Sequence, residues 1–124
     1  FYAYAGDGEQ AKATLTQLED FLHKSGADEV DQYKKLLRQA RQIVAVYVDK
    51  DISMLPKLQR QAAATKDGAD RGLLQFRIAK LSHYAGNEDQ AEVYLNRAAK
   101  NLKNTAYSVI IDSALEDHSV LERF

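Results

Sequence analysis

An eight-residue stretch near the start of the chain, Tyr4-Ala5-Gly6-Asp7-Gly8-Glu9-Gln10-Ala11, returns 80 residues later as Tyr84-Ala85-Gly86-Asn87-Glu88-Asp89-Gln90-Ala91. The match continues beyond it, with Leu15 answering Leu95 and Leu22 answering Leu102. A weaker copy, Tyr47-Val48-Asp49-Lys50-Asp51-Ile52-Ser53-Met54, lies between them, 43 residues after the first and 37 before the last. A period of about 40 residues marks an array of supersecondary units, none of which buries its apolar face alone.

Each copy reads as the turn of a helical hairpin. Gly86 ends one helix, because glycine takes the left-handed position after a C-cap without a steric penalty. Asn87 then caps the next helix, and Gln90, three residues on, has the spacing of a capping box. Asp7 and Gln10 repeat this pairing. Ala91 and Ala11 follow one turn after the cap, where a small residue lets two helix axes approach closely.

The apolar spacing predicts helices throughout. A first spans 8–24, with Ala11, Leu15, Leu18, Phe21 and Leu22 on one face, and Ser25-Gly26 ends it. A second, capped by Asp28 or a neighbour, spans 29–48, with Tyr33, Leu36, Leu37, Ala40, Ile43, Val44 and Tyr47 as its stripe. Asp49-Lys50-Asp51 is a turn, and a third helix runs over 53–65 with Pro56 in its first turn, where the missing N–H costs nothing. Residues 65–69 form a loop. A fourth helix covers 70–85 (Leu74, Ile78, Leu81 and Ala85, with Leu73 and Phe76 beside them) and a fifth covers 88–102 (Ala91, Tyr94, Leu95, Ala98 and Leu102). Asn104-Thr105 caps a last helix over 105–118, in which Tyr107, Ile110, Ile111, Ala114 and Leu115 are apolar and which Val120, Leu121 and Phe124 extend. No stretch alternates with period two, so no strand is expected.

Gly86-Asn87 and Ala91, followed by Tyr94, Leu95 and Ala98 and preceded by the large–small pair Ile78-Ala79, resemble the tetratricopeptide repeat. The resemblance implies an all-α fold, a right-handed stack of about three antiparallel helical hairpins with a terminal helix, built to bind proteins or peptides. Ser82 and Gln75 stand where that family places aromatic residues, no proline follows the second helix of a pair, and the spacing exceeds the family's 34 residues.

The 124 residues predict one domain over 1–124, part of a longer protein, since the chain opens at Phe1 on what reads as the tail of a helix. Hydrophobic residues at 45% and charged residues at 28% are globular values, no apolar run is long enough to cross a membrane, and the absence of cysteine removes disulfides and thiolate chemistry. The net charge of −1 hides an asymmetry: residues 1–33 carry two basic and seven acidic side chains, 34–80 carry eleven and four, and 81–124 carry four and seven.

The candidate sites follow from this charge pattern. Lys34, Arg38 and Arg41 share one helical face, as do Arg77, Lys80 and His83. With Tyr47 and Tyr84 at the edge, they are expected to line a concave basic patch for an acidic or carboxylate-bearing peptide. The mixed Lys, Asn and Arg pattern of the family's carboxylate clamp is not present. The three histidines, His23, His83 and His118, are far apart in sequence and show no metal-ligand spacing, so no metal or cofactor is expected. Asp49-Lys50-Asp51-Ile52-Ser53 begins like a calcium loop but has Met54 where glycine is needed and Arg60 where an acid is needed. The carboxylate pairs Glu19-Asp20, Asp28-Glu29 and Glu116-Asp117 fall at helix ends or on solvated faces, and no nucleotide or hydrolase motif is present, so an enzyme is not expected. No nucleic-acid partner is expected of a net acidic chain without a recognition motif. The expected function is a protein-interaction scaffold. The alternative is the sensor region of a bacterial transcription regulator that receives a peptide or protein effector. Apolar stripes at the two ends (Phe1, Tyr2 and Tyr4; Ile110, Ile111 and Leu121) are expected to favour self-association.

Overall fold

The computed structural model describes residues 7–26 and 30–124, and among these the chain is all-α, without a strand. Six α-helices follow one another: α1 (Gly8–Lys24), α2 (Asp31–Tyr47), α3 (Leu55–Ala64), α4 (Gly68–Tyr84), α5 (Glu88–Asn101) and α6 (Tyr107–Glu116). A 3₁₀ turn, Ile52–Met54, leads into α3, and a 3₁₀ segment, His118–Glu122, closes the chain. The fold divides into two compact units at Lys50 and Asp51, inside the turn of the weakest copy of the repeat. Among the described residues, no helix is long and apolar enough to cross a membrane.

The first unit contains α1 and α2. Asp7 caps α1 by accepting a hydrogen bond from the Gln10 amide at 3.1 Å, and Gly26, at φ +72°, takes the left-handed position after the last turn. The two helices run antiparallel. The start of α1 lies against the end of α2, with Lys12 2.8 Å from Asp49, and Arg41 donates to Glu19 at 3.0 Å. Both ion pairs are exposed, so each contributes at most about 1 kcal/mol. Burial here is thin: Ala11 and Leu22 on α1, Leu37 and Val46 on α2. Tyr33 and Leu36, expected in the apolar stripe, are exposed, and Val46 is buried in their stead. The N-cap of α2 is Val30, which supplies no capping side chain. Asp28, expected in that role, lies outside the described residues.

The second unit is built around α4. Phe76, Ile78, Ala79, Lys80, Leu81 and Ser82 are all buried, so of seven successive positions all but Arg77 are covered, on every side of the helix. The cover comes from α3, α5 and the C-terminal 3₁₀ segment. A helix buried all round has no amphipathic face to report it. Helices α4 and α5 are antiparallel and close: a Cβ on Gly72 would lie 2.7 Å from Leu102 Cγ and 2.9 Å from Asn101 Cβ. Phe76, Ala79, Leu95, Ala98, Leu102, Ile111, Ala114 and Leu121 form the core between α4, α5, α6 and the 3₁₀ segment.

The α4–α5 turn follows the expected chemistry. Gly86 sits at φ +79°. Its N–H donates to the His83 carbonyl at 3.0 Å and the Asn87 N–H donates to the Ser82 carbonyl at 2.9 Å, which together make a Schellman motif. Asn87 in turn accepts from the Gln90 amide at 3.1 Å. The Gln90 side chain does not close a capping box; it donates to Ser82 Oγ at 2.8 Å.

Other expectations shift. Helix α4 begins at Gly68, two residues before the expected start, because Asp67 caps it by accepting from the Asp70 amide at 2.9 Å. Asn104 and Thr105 make a turn rather than a cap: Asn104 is left-handed at φ +66°, and the Thr105 hydroxyl donates back to the Leu102 carbonyl. The last helix stops at Glu116, where Asp117 turns extended and caps the 3₁₀ segment through the Ser119 amide. That segment folds back on α4, so Ile111 and Leu121, expected to form an open apolar end, are fully buried. Phe1, Tyr2 and Tyr4, the other expected end, lie outside the described residues.

Candidate functional site

The predicted basic residues divide between the two units. On α2, Lys34 and Arg38 are exposed, Arg41 is exposed and paired with Glu19, and Tyr47 is half-buried. On α4, Arg77, His83 and Tyr84 are half-buried, whereas Lys80 is 2% exposed. The Lys80 ammonium donates to the Leu121 carbonyl and lies 5.5 Å from the centroid of the Tyr84 ring. Lys80 therefore anchors the C-terminal segment and offers nothing to a groove. Burial, reinforced by the charge of Glu122, raises the Tyr84 phenol above its ordinary value.

His83 belongs to a different constellation. It lies in the last turn of α4; Glu88 opens α5; His118 opens the 3₁₀ segment. His83 Nδ1 is 2.8 Å from Glu88 Oε1, and His118 Nδ1 meets the other oxygen of the same carboxylate. A carboxylate only accepts, so each contact requires an Nδ1–H. The far side of His83 faces a second acid, with Nε2 3.4 Å from Glu122 Oε1. The two imidazole rings stand nearly perpendicular, 6.5 Å between centroids. One ligand atom from each of His83, Glu88 and His118 lies within 4.8 Å of the other two. The hydrogen bond from His118 lowers the Glu88 pKa most; burial opposes it, and the hydrogen bond from His83 adds a smaller lowering. Beside it, hydrogen bonds from Ser119 hold Asp117 below the usual carboxylate value.

Three backbone devices bring these side chains together. The Schellman turn at Gly86 sets the end of α4 against the start of α5, which puts His83 beside Glu88. The Asp117 cap fixes the start of the 3₁₀ segment at His118. The Lys80–Leu121 hydrogen bond holds that segment on α4. Sequence spacing held only the first of these signals, a histidine and an acid flanking a tight turn. His83 and His118, far apart in sequence, are brought together by the fold; His23, on α1, is exposed and in the other unit.

A concavity of about 290 Å³ opens between α3, α4 and α5, lined by Gln59, Ala62, Ala63, Arg71, Gln75, Tyr94 and Arg97. Three of its polar side chains have internal partners. Arg71 donates to the Thr65 and Lys66 carbonyls at 2.9 and 3.1 Å, the Gln75 carbonyl oxygen accepts from Asn101 at 2.8 Å, and the Arg97 guanidinium lies over the Tyr94 ring at 4.9 Å. The predicted calcium-like stretch is a cap as well: Asp51 accepts from the Ser53 amide at 3.0 Å.

Compared with protein families, with curated proteins and with solved structures, the chain matches none.

Proposed function

We propose that this chain is a protein-interaction module of the helical-repeat type, a tetratricopeptide-like stack that binds rather than transforms its partner. The observation that supports this reading is the surface of α2. Lys34 and Arg38 are exposed one helical turn apart, and Tyr33 and Leu36, both large and apolar, are 37% and 44% exposed on the same helix. Exposed cations and exposed apolar side chains on one helix suit an acidic amphipathic segment: the charges steer the encounter and the apolar side chains hold the complex. The proposed contact residues are Lys34, Arg38 and Arg41, with Tyr33 and Leu36 as anchors.

The test is a titration of acidic amphipathic peptides, followed by fluorescence polarisation, against the wild type and a Lys34→Glu/Arg38→Glu variant. All four of the side chains that carry the reading are exposed, so the variant is expected to keep the wild-type circular dichroism and melting temperature. Saturable binding that falls at least about tenfold in the variant, and weakens with salt, supports the reading. Absence of saturable binding, or equal binding by both proteins, overturns it.

A further inference from the structure

We infer that His83, Glu88 and His118 form a binding site for a divalent first-row transition-metal ion, with zinc as the best-fitting representative. Both imidazoles aim Nδ1 at one carboxylate, and His83 also turns Nε2 towards Glu122, at 3.4 Å. Without a cation between them, the carboxylate and its two imidazoles are held together by two Nδ1 protons. A single dication can take the place of both, each proton moving to Nε2 of its ring or leaving to solvent, with each Nδ1 lone pair and one Glu88 oxygen turned upon the ion.

The dimensions fit. Tetrahedral zinc with ligands at about 2.0–2.1 Å separates donor atoms by roughly 3.3 Å. The present separations run from hydrogen-bond distance up to 4.8 Å. Small rotations of three side chains therefore admit the ion while the backbone stays in place. Two imidazoles and one carboxylate make a donor set that zinc uses, and it leaves one position for water. Magnesium and calcium prefer all-oxygen sites and are disfavoured here.

An independent observation supports the site. With His83 ligating through Nδ1, its remaining proton sits on Nε2, 3.4 Å from Glu122 Oε1. A carboxylate behind a ligating histidine fixes the tautomer and raises the ligand's basicity, an arrangement characteristic of protein metal centres. The two acids also give the site a charge of −2 with both histidines neutral, which a dication cancels. The ligands come from α4, α5 and the C-terminal 3₁₀ segment, so the bound ion would staple that segment to the hairpin.

The experiment uses the whole chain, free of any affinity tag and dialysed against chelator. Zinc is titrated by calorimetry at neutral pH into the wild type and the His118→Ala, Glu88→Gln and His23→Ala variants. One equivalent is expected to bind the wild type and His23→Ala alike. Affinity is expected to fall at least about tenfold in Glu88→Gln and further in His118→Ala, and millimolar magnesium or calcium is expected not to compete. A second measurement needs no variant: imidazole nitrogen resonances of the wild type, followed during zinc addition, are expected to shift for His83 and His118 and to stay in place for His23. Failure of one equivalent to bind, uptake that survives His118→Ala unchanged, loss of uptake in His23→Ala, or nitrogen shifts confined to His23 would each overturn the site.

Discussion

The ammonium of Lys80, in the middle of α4, donates to the backbone carbonyl of Leu121, 41 residues further along the chain. Lys80 is 2% exposed and Leu121 is fully buried. One buried charge thus ties the last turn of the chain to the central helix, and the position of His118 beside His83 depends on that tie.

Removing the tie is expected to loosen the C-terminal segment. Lys80→Met keeps most of the stem and drops the donor, which leaves the Leu121 carbonyl without it, at a cost of about 1–3 kcal/mol. Lys80→Ala adds a cavity and is expected to cost more, about 2–4 kcal/mol. Urea denaturation gives both values, and limited proteolysis is expected to cut beyond Glu116 earlier in the variants. A Met variant as stable as the wild type would show that the desolvation of the ammonium cancels its hydrogen bond.

Two glycines of the α4–α5 hairpin are expected to resist alanine for opposite reasons. At Gly86 a Cβ meets nothing within 4 Å, but φ is +79°. The cost of Gly86→Ala is then conformational, about 1–2 kcal/mol, and Gly86→Asn should recover part of it, because asparagine tolerates the left-handed region. At Gly72 the Cβ would strike Leu102 and Asn101. The steric cost of about 1–3 kcal/mol exceeds the gain in helix propensity of about 1 kcal/mol. Leu102→Ala is expected to relieve Gly72→Ala and to do nothing for Gly86→Ala. Melting curves of the two double-mutant cycles separate the cases.

Ser82 is fully buried; its hydroxyl donates to the Ile78 carbonyl at 2.7 Å and accepts from Gln90 at 2.8 Å. Ser82→Ala is expected to cost about 1–2 kcal/mol. Gln90→Leu removes the same contact from the other side, so the double variant should lose clearly less than the sum of the single ones. Strict additivity in chemical denaturation would mean that the Ser82–Gln90 bond contributes nothing.

These residues also mark how far the sequence could be read. The α4–α5 turn was legible because its determinants are local: Gly86, Asn87 and the backbone amide of Gln90 act within eight residues of Ser82. Ser82 itself looked like a missing aromatic, but a fully buried position that receives Gln90 has no room for a ring. Lys80 looked like part of a basic face because it is three residues from both Arg77 and His83. Helical spacing assigns a face and says nothing of what covers it. The cover here is the C-terminal segment, whose return depends on the extended backbone at Asp117. His118 was unreadable for the same reason: its approach to His83 and Glu88 is a consequence of tertiary packing that no local pattern encodes.

The two units differ in how much they bury, and their opening should differ accordingly. Helices α1 and α2 bury two residues each, whereas α4 alone buries eight and shares a core with α5 and α6. The free energy of local opening follows buried contacts, so amides in α4 and α5 are expected to exchange at least roughly tenfold more slowly than those in α1 and α2. Hydrogen exchange followed by mass spectrometry on peptides from each helix measures this directly. Zinc, if it binds as inferred, should slow exchange further around His83, Glu88 and His118 and leave α1 and α2 unchanged. Equal protection of all four helices would overturn this link between buried contacts and local opening.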